Sequence, residues 1–140
     1  RNMSSAASDV YKRQLRTFLM PLVDAGIDMF HASNRRYWEP EFEGSNLNLA
    51  GWTKKLTGLP TITVGSVGLK SDFIGLYAGE DAVESQSIDD LVKRMEADEF
   101  DMVAIGRALL SDPEWVKKVK AGDFEEIIPF EKKYAREVYF

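Results

Sequence analysis

Hydrophobic positions along this chain switch between a helical rhythm and short unbroken apolar runs, and that alternation predicts most of its elements. From Leu15, the residues Phe18, Leu19, Leu22 and Val23 form one apolar helical face that stops at Ala25-Gly26, with Gly26 as C-cap. Ile27 to Ser33 then predicts a short buried strand, followed by a polar, aromatic-rich loop from Ser33 to Asn48. Leu49 to Leu56 predicts the next helix, with Trp52 and Leu56 four apart, Gly58 closing it and Pro60 as a stop. Thr61 to Val64 is mostly β-branched, as suits a parallel strand buried on both faces. The segment from Leu69 to Gln86 holds Gly75 and Gly79. After it, Ser87-Ile88-Asp89-Asp90 predicts a capping box with Asp in place of Glu, opening a helix whose face is Ile88, Leu91, Val92 and Met95. Met102 to Ile105 is the last strand, and Asp112-Pro113 predicts N-cap and N1 of a helix through Val116 and Val119 to about Gly122. The tail from Asp123 has a mixed pattern.

Three strands alternating with helices predict an α/β chain with a parallel sheet. A doubly wound open sheet gives the same alternation, so the glycines have to discriminate. The turn Gly65-Ser66-Val67-Gly68 does not supply the G-x-G-x-x-G of a dinucleotide fold. Two apolar strands each ending in glycine, Thr61 to Gly68 and Asp101 to Arg107, instead suit a phosphate site at the carboxyl ends of the last two strands of a (β/α)₈ (TIM) barrel. A missing Cβ lets a phosphate approach the backbone, and Arg107 adds a full charge on a two-pronged donor.

Ser4 to Gln14, SSAASDVYKRQ, resembles the in-frame translation of a transposase-type sequencing adapter, so residues 1–14 are set apart as a leader. Removing Arg1, Lys12, Arg13 and Asp9 takes the formal charge from −5 to −7, which argues against nucleic-acid binding. A hydrophobic fraction of 44% and an aromatic fraction of 11% argue against disorder. The sequence has no run of eighteen apolar residues and no signal-like segment, so neither a membrane span nor secretion is expected. Zero cysteines removes disulfides and thiolate metal sites and fits a cytoplasmic location. With one histidine as well, no metal site is expected.

From about Leu15 to Phe130 the chain resembles the C-terminal portion of the old yellow enzyme family, FMN-dependent NAD(P)H:flavin oxidoreductases and enoate reductases. The most specific pieces are Val64-Gly65-Ser66-Val67-Gly68 and Ala104-Ile105-Gly106-Arg107-Ala108-Leu109-Leu110-Ser111-Asp112-Pro113. The resemblance implies that residues 15–140 are about strands six to eight of a flavin-binding TIM barrel, incomplete as given. It implies Gly106 and Arg107 as the leading FMN-phosphate contacts, with Gly65, Ser66 and Gly68 beside them. Ile27 to Ser33 resembles strand six, and the loop residues Arg35, Arg36, Tyr37 and Trp38 are then expected on the flavin's substrate side. The implied chemistry is hydride transfer from NAD(P)H through FMN to an activated alkene, with a tyrosine supplying the proton. The residues that polarise the substrate, and that tyrosine, lie before strand six in the family, so no catalytic residue is assigned in this chain.

Other readings compete. Glycine at 106 can simply end a strand, and Arg107 can cap a helix. Gly65 and Gly68 can serve a tight turn, and Ser66 can donate to the flavin or cap its own turn. Arg35-Arg36 can attract a nicotinamide cofactor's phosphate or form a local ion pair. Tyr37, Trp38 and Phe42 can form a lid or pack on neighbouring loops. His31 reads as a satisfied, partly buried side chain, Glu39 and Glu41 as a solvated loop face, and Trp52 and Trp115 as core. At the level of the whole chain, the alternatives are a sugar-phosphate lyase or isomerase on the same barrel and a non-catalytic α/β module that binds a phosphate or a partner. Oligomers of the parent protein are compatible with all of these.

Overall fold

The computed structural model describes residues 5–70, 82–83 and 85–136. Gly75 and Gly79 fall outside the described residues. The elements run α1 (Ser5–Asp24), β1 (Phe30–Ser33), α2 (Leu49–Thr57), β2 (Thr61–Val64), β3 (Ala82–Val83), α3 (Asp89–Glu96) and β4 (Met102–Val103). Then come α4 (Arg107–Ser111), α5 (Trp115–Ala121), a 3₁₀ turn (Phe124–Glu126), β5 (Phe130–Glu131) and α6 (Lys132–Arg136). Strands β1, β2 and β4 form one parallel sheet in that order, with His31 beside Ile62 and Ile62 beside Met102. A separate antiparallel pair joins β3 to β5 in the tail.

Local signals account for α2. Asn48 is its N-cap, its side chain accepting from the Gly51 N–H at 2.8 Å, and Gly58 closes it at φ +72° with its N–H on the Lys54 carbonyl. Elsewhere, tertiary pairing moves the predicted boundaries. The first strand begins at Phe30, not Ile27, because its partner begins only after Pro60: the Phe30 N–H reaches the Pro60 carbonyl, whereas the Ile27 N–H turns back to Leu22 on α1. The last strand stops at Val103 rather than Ile105. Its final bond runs from the Ala104 N–H to Thr63, and the next carbonyl along, Gly65, accepts from Tyr37.

Two predicted caps are replaced by other contacts. Asp is one methylene too short to close the box before α3; Asp90 pairs instead with Arg94 at 2.8 Å, and the Ser87 hydroxyl accepts from the Asp89 N–H. Asp112 does not cap α5 directly, since that helix starts at Trp115. Its buried carboxylate accepts from the Glu114 N–H, from Lys118 Nζ at 2.7 Å and from the Ile128 N–H at 3.0 Å, tying the tail to the end of α4.

The core lies on one face of the parallel sheet. Ala32, Tyr37, Ala50, Val67, Leu91, Phe100, Ala108 and Trp115 form a single buried cluster, with Val103 against it. Thr61 and Thr63 are fully buried on that face. Side-chain alternation sends His31, Ser33, Ile62, Val64 and Met102 to the opposite face. There His31 and Ser33 are exposed, Ile62 and Val64 half-buried, and Met102 is 39% exposed. The predicted burial of His31 is therefore corrected: it stands on the uncovered face. The predicted apolar face of α1 is corrected too. Leu19 is buried, but Phe18 is 67% exposed, because α1 packs on α2 from one side.

Candidate functional site

The carboxyl ends of all three parallel strands converge on one cavity of about 410 Å³. That size is at the lower end for small-molecule sites and suits one end of an elongated ligand. Its walls come from Ser33, Asn34 and Arg35 after β1, Gly65 and Ser66 after β2, and Gly106 and Arg107 after β4. Two arginines are thus among its lining residues and, among the described residues, no Asp or Glu is, a lining compatible with an anion.

The glycines serve different ends. Gly65 sits at φ +143°, and a Cβ there would lie 2.5 Å from the Asn34 carbonyl oxygen and 3.2 Å from the Tyr37 nitrogen. It is required by the close approach of the loop after β1, whose Tyr37 N–H bonds the Gly65 carbonyl at 3.1 Å. Gly106 is different: a Cβ there meets nothing within 4 Å, and its φ is −105°. Neither packing nor backbone sign requires glycine at 106, and the space its missing side chain leaves opens at the cavity wall. Gly68, expected beside a phosphate, does not line the cavity. It lies under the Trp115 indole, 2.9 Å from where a Cβ would stand, at φ +71°.

Ser66 neither caps its own turn through its side chain nor stands alone. Its hydroxyl donates to the Arg35 carbonyl at 3.3 Å and accepts from Arg107 Nη2 at 3.2 Å, joining all three strand ends. The Arg107 guanidinium also lies 5.8 Å from the Phe130 ring, which the tail delivers by pairing β5 with β3.

The expected substrate-side loop divides. Arg35 reaches the cavity, whereas Arg36 forms an ion pair with Glu39 at 2.7 Å. Tyr37 is 2% exposed and Trp38 half-buried, the two rings meeting edge-on at 5.1 Å. Burial raises the Tyr37 phenol's pKa, and the nearby Asp90 adds to it. Phe42 is buried against Trp52 at 5.5 Å. The aromatics are packing, not a lid, and Trp52 and Trp115 are core as expected.

Three positioning residues were missed in the sequence. Asn34 Nδ2 donates to the Ala32 and Val64 carbonyls and to Thr63 Oγ1, while its Oδ1 accepts from the Leu49 N–H. Asn48 Nδ2 donates to Tyr37 O at 2.8 Å and to the same Thr63 hydroxyl at 3.1 Å. Arg94 bonds Asp90, Glu99 and the Asn46 and Trp38 carbonyls, clamping the loop onto α3. Burial works against the Arg94 charge, but the two carboxylates outweigh it and raise its pKa. Asn48 was readable as an N-cap and Arg94 as an i,i+4 partner of Asp90; nothing local marked Asn34.

Among the described residues, no cluster of three or more His, Cys, Asp or Glu side chains could hold a metal, and no helix is long and apolar enough to cross a membrane. No family model matches the chain. It is similar to a protein named NADH oxidase from Thermoanaerobacter brockii, 33% identical over 114 residues. That alignment covers 76% of this chain and 15% of the length of the relative.

Proposed function

We infer that this chain is the C-terminal portion, about strands six to eight, of a TIM barrel in an FMN-dependent NAD(P)H oxidoreductase of the ene-reductase type. The observation that carries the reading is the cavity: two arginines and an unobstructed Gly106 meet at the carboxyl ends of three adjacent parallel strands, where barrel enzymes place their phosphate groups. The similarity to a protein named NADH oxidase supports the oxidoreductase class. The uncovered sheet face supports the barrel, since all-parallel sheets are covered on both faces and half-buried Ile62 and Val64 are suited to an inner layer of side chains.

The residues present fit a flavin's phosphate end. Gly106 leaves room for it at the wall, Arg107 supplies charge, and Ser66 fixes the Arg107 head by a hydrogen bond. Gly65 lets the loop after β1 close against β2, and Asn34 and Asn48 hold that loop through Thr63. Bound FMN supplies hydride transfer between reduced nicotinamide and an activated alkene. This chain's own share is to bind and orient the phosphate end.

The test is the full-length gene product. It is expected to purify yellow, to take up FMN and to oxidise NAD(P)H with an activated alkene as acceptor. Colourless protein that takes up no FMN refutes the reading.

A further inference from the structure

The tail after α5 reaches the cavity from behind its wall. Its anchor is Ile128, and the end of α4 takes both of that residue's backbone groups: the N–H donates to the Asp112 carboxylate at 3.0 Å, and the carbonyl accepts from the Ser111 hydroxyl at 3.1 Å. Lys118 adds a further tie, donating to Asp112 at 2.7 Å and to the Glu126 carbonyl at 2.8 Å. Asp112 is 1% exposed, so the clasp sits where a low dielectric strengthens its bonds. Pro129 then stiffens the step to Phe130.

Phe130 is the side chain that this anchor delivers. β5 pairs with β3, Phe130 beside Val83, and the ring is 1% exposed. It forms one buried cluster with Leu69, with Tyr134 packed against the pair, and it stands 5.8 Å from the Arg107 guanidinium, within reach of a cation–π contact. Leu69 and Arg107 both line the strand-end cavity, whereas Phe130 is not among the lining residues. One ring from the tail therefore backs two wall residues, one from the turn after β2 and one from the start of α4. A flat ring restricts where a long guanidinium can swing without competing for its hydrogen bonds.

We propose that Phe130 is a positioning residue of the cavity: clasped in place through Ile128, its ring holds the Arg107 guanidinium and Leu69 in the wall without itself touching the ligand. The proposal rests on the flavin reading above for the occupant of the cavity, and on the tail's own contacts for the positioning.

The experiment uses the full-length protein stripped of flavin. Phe130→Leu keeps apolar volume against Leu69 and removes the ring. FMN affinity, measured by quenching of flavin fluorescence, is expected to fall about 3- to 30-fold, as loss of a buried cation–π contact does. In an Arg107→Gln background the same substitution should cost less than about twofold, because the group on which the ring acts is gone. A merely structural role would give the same loss in both backgrounds. Equal losses, or no loss from Phe130→Leu alone, overturn the proposal and leave the flavin reading intact. Should the wild type take up no FMN, the flavin reading fails and hydrogen exchange of the ligand-free protein decides for Phe130. The reporters are the Leu69 and Leu109 amides beside the wall, bonded to the Ser66 and Gly106 carbonyls, with the Trp52 amide of α2 as control. Exchange about tenfold faster beside the wall in Phe130→Leu, with the control unchanged, sustains the positioning role. Unchanged exchange there, or equal acceleration of the control, overturns it. Phe130→Met takes the place of Phe130→Leu if that variant does not fold, and failure of both to fold overturns the proposal as well, since the ring is then a requirement of the whole fold.

Discussion

Replacing Gly65 by alanine should damage the fold before it damages the chemistry. The new Cβ would stand 2.5 Å from the Asn34 carbonyl oxygen, about 0.9 Å inside the 3.4 Å at which ordinary contact begins. Backbone, not a flexible side-chain end, blocks it, so the loop after β1 has to retreat. Retreat stretches the Tyr37 N–H bond to Gly65 and the Asn34 N–H bond to Val64, now 3.1 and 3.0 Å. Each is worth about 1 kcal/mol net. Holding a non-glycine residue at φ +143° adds about 1–3 kcal/mol. The total is about 3–5 kcal/mol, a large share of the roughly 5–15 kcal/mol that stabilises a domain. The assay is urea unfolding of full-length Gly65→Ala against wild type, followed by tryptophan fluorescence, with Trp38 and Trp52 reporting on the displaced loop and its neighbours. A loss below about 1 kcal/mol, with the midpoint nearly unmoved, would refute the claim that loop approach is what requires this glycine.

Gly106→Ala should behave in the opposite way: with open space at the Cβ position and a negative φ, stability should stay within about 0.5 kcal/mol while FMN binding weakens, and equal FMN affinity in the two proteins would remove Gly106 from the site. Burial pushes the Asp112 carboxyl up, but Lys118 and the Ile128 and Glu114 N–H groups outweigh it and leave its pKa below the usual carboxylate value. The unfolded chain therefore binds the proton more readily, so the contribution is complete above the unfolded pKa of about 3.9 and is lost as pH falls through the lower folded value. Asp112→Asn should cost about 1–3 kcal/mol at neutral pH and flatten the acid limb below about pH 4; an unchanged acid limb in urea titrations would contradict this. Residues 15–140 expressed alone should bind a hydrophobic dye and melt without a sharp transition, because β1 and β4 are open edges and the face bearing Met102 is uncovered. A monomer with a cooperative melt would count against the barrel.

Local chemistry made some of this protein legible from its residues alone. Gly58 closes α2 as its residues predicted, because a cap depends on a few neighbouring residues. The β-branched run at Thr61 to Val64 is a strand, and Gly65, Ser66, Gly106 and Arg107 do meet at one cavity, since a strand's end is readable where its apolar run stops. What two distant segments decide together was not legible. The start of β1 depends on where Pro60 lets β2 begin, and the tail on a buried Asp112 that was readable only as a cap.

The sequence by itself thus determined the order of helices and strands and the positions that could hold a phosphate. Only the tertiary structure decided which glycine serves which purpose. Gly65 yields to a carbonyl and Gly68 to an indole, each far away along the chain, whereas Gly106 faces open space, and the three look alike in one dimension. The same holds for the adjacent arginines. Arg36 turns to Glu39 and Arg35 to the cavity, and no local pattern separates them until the three strand ends are side by side.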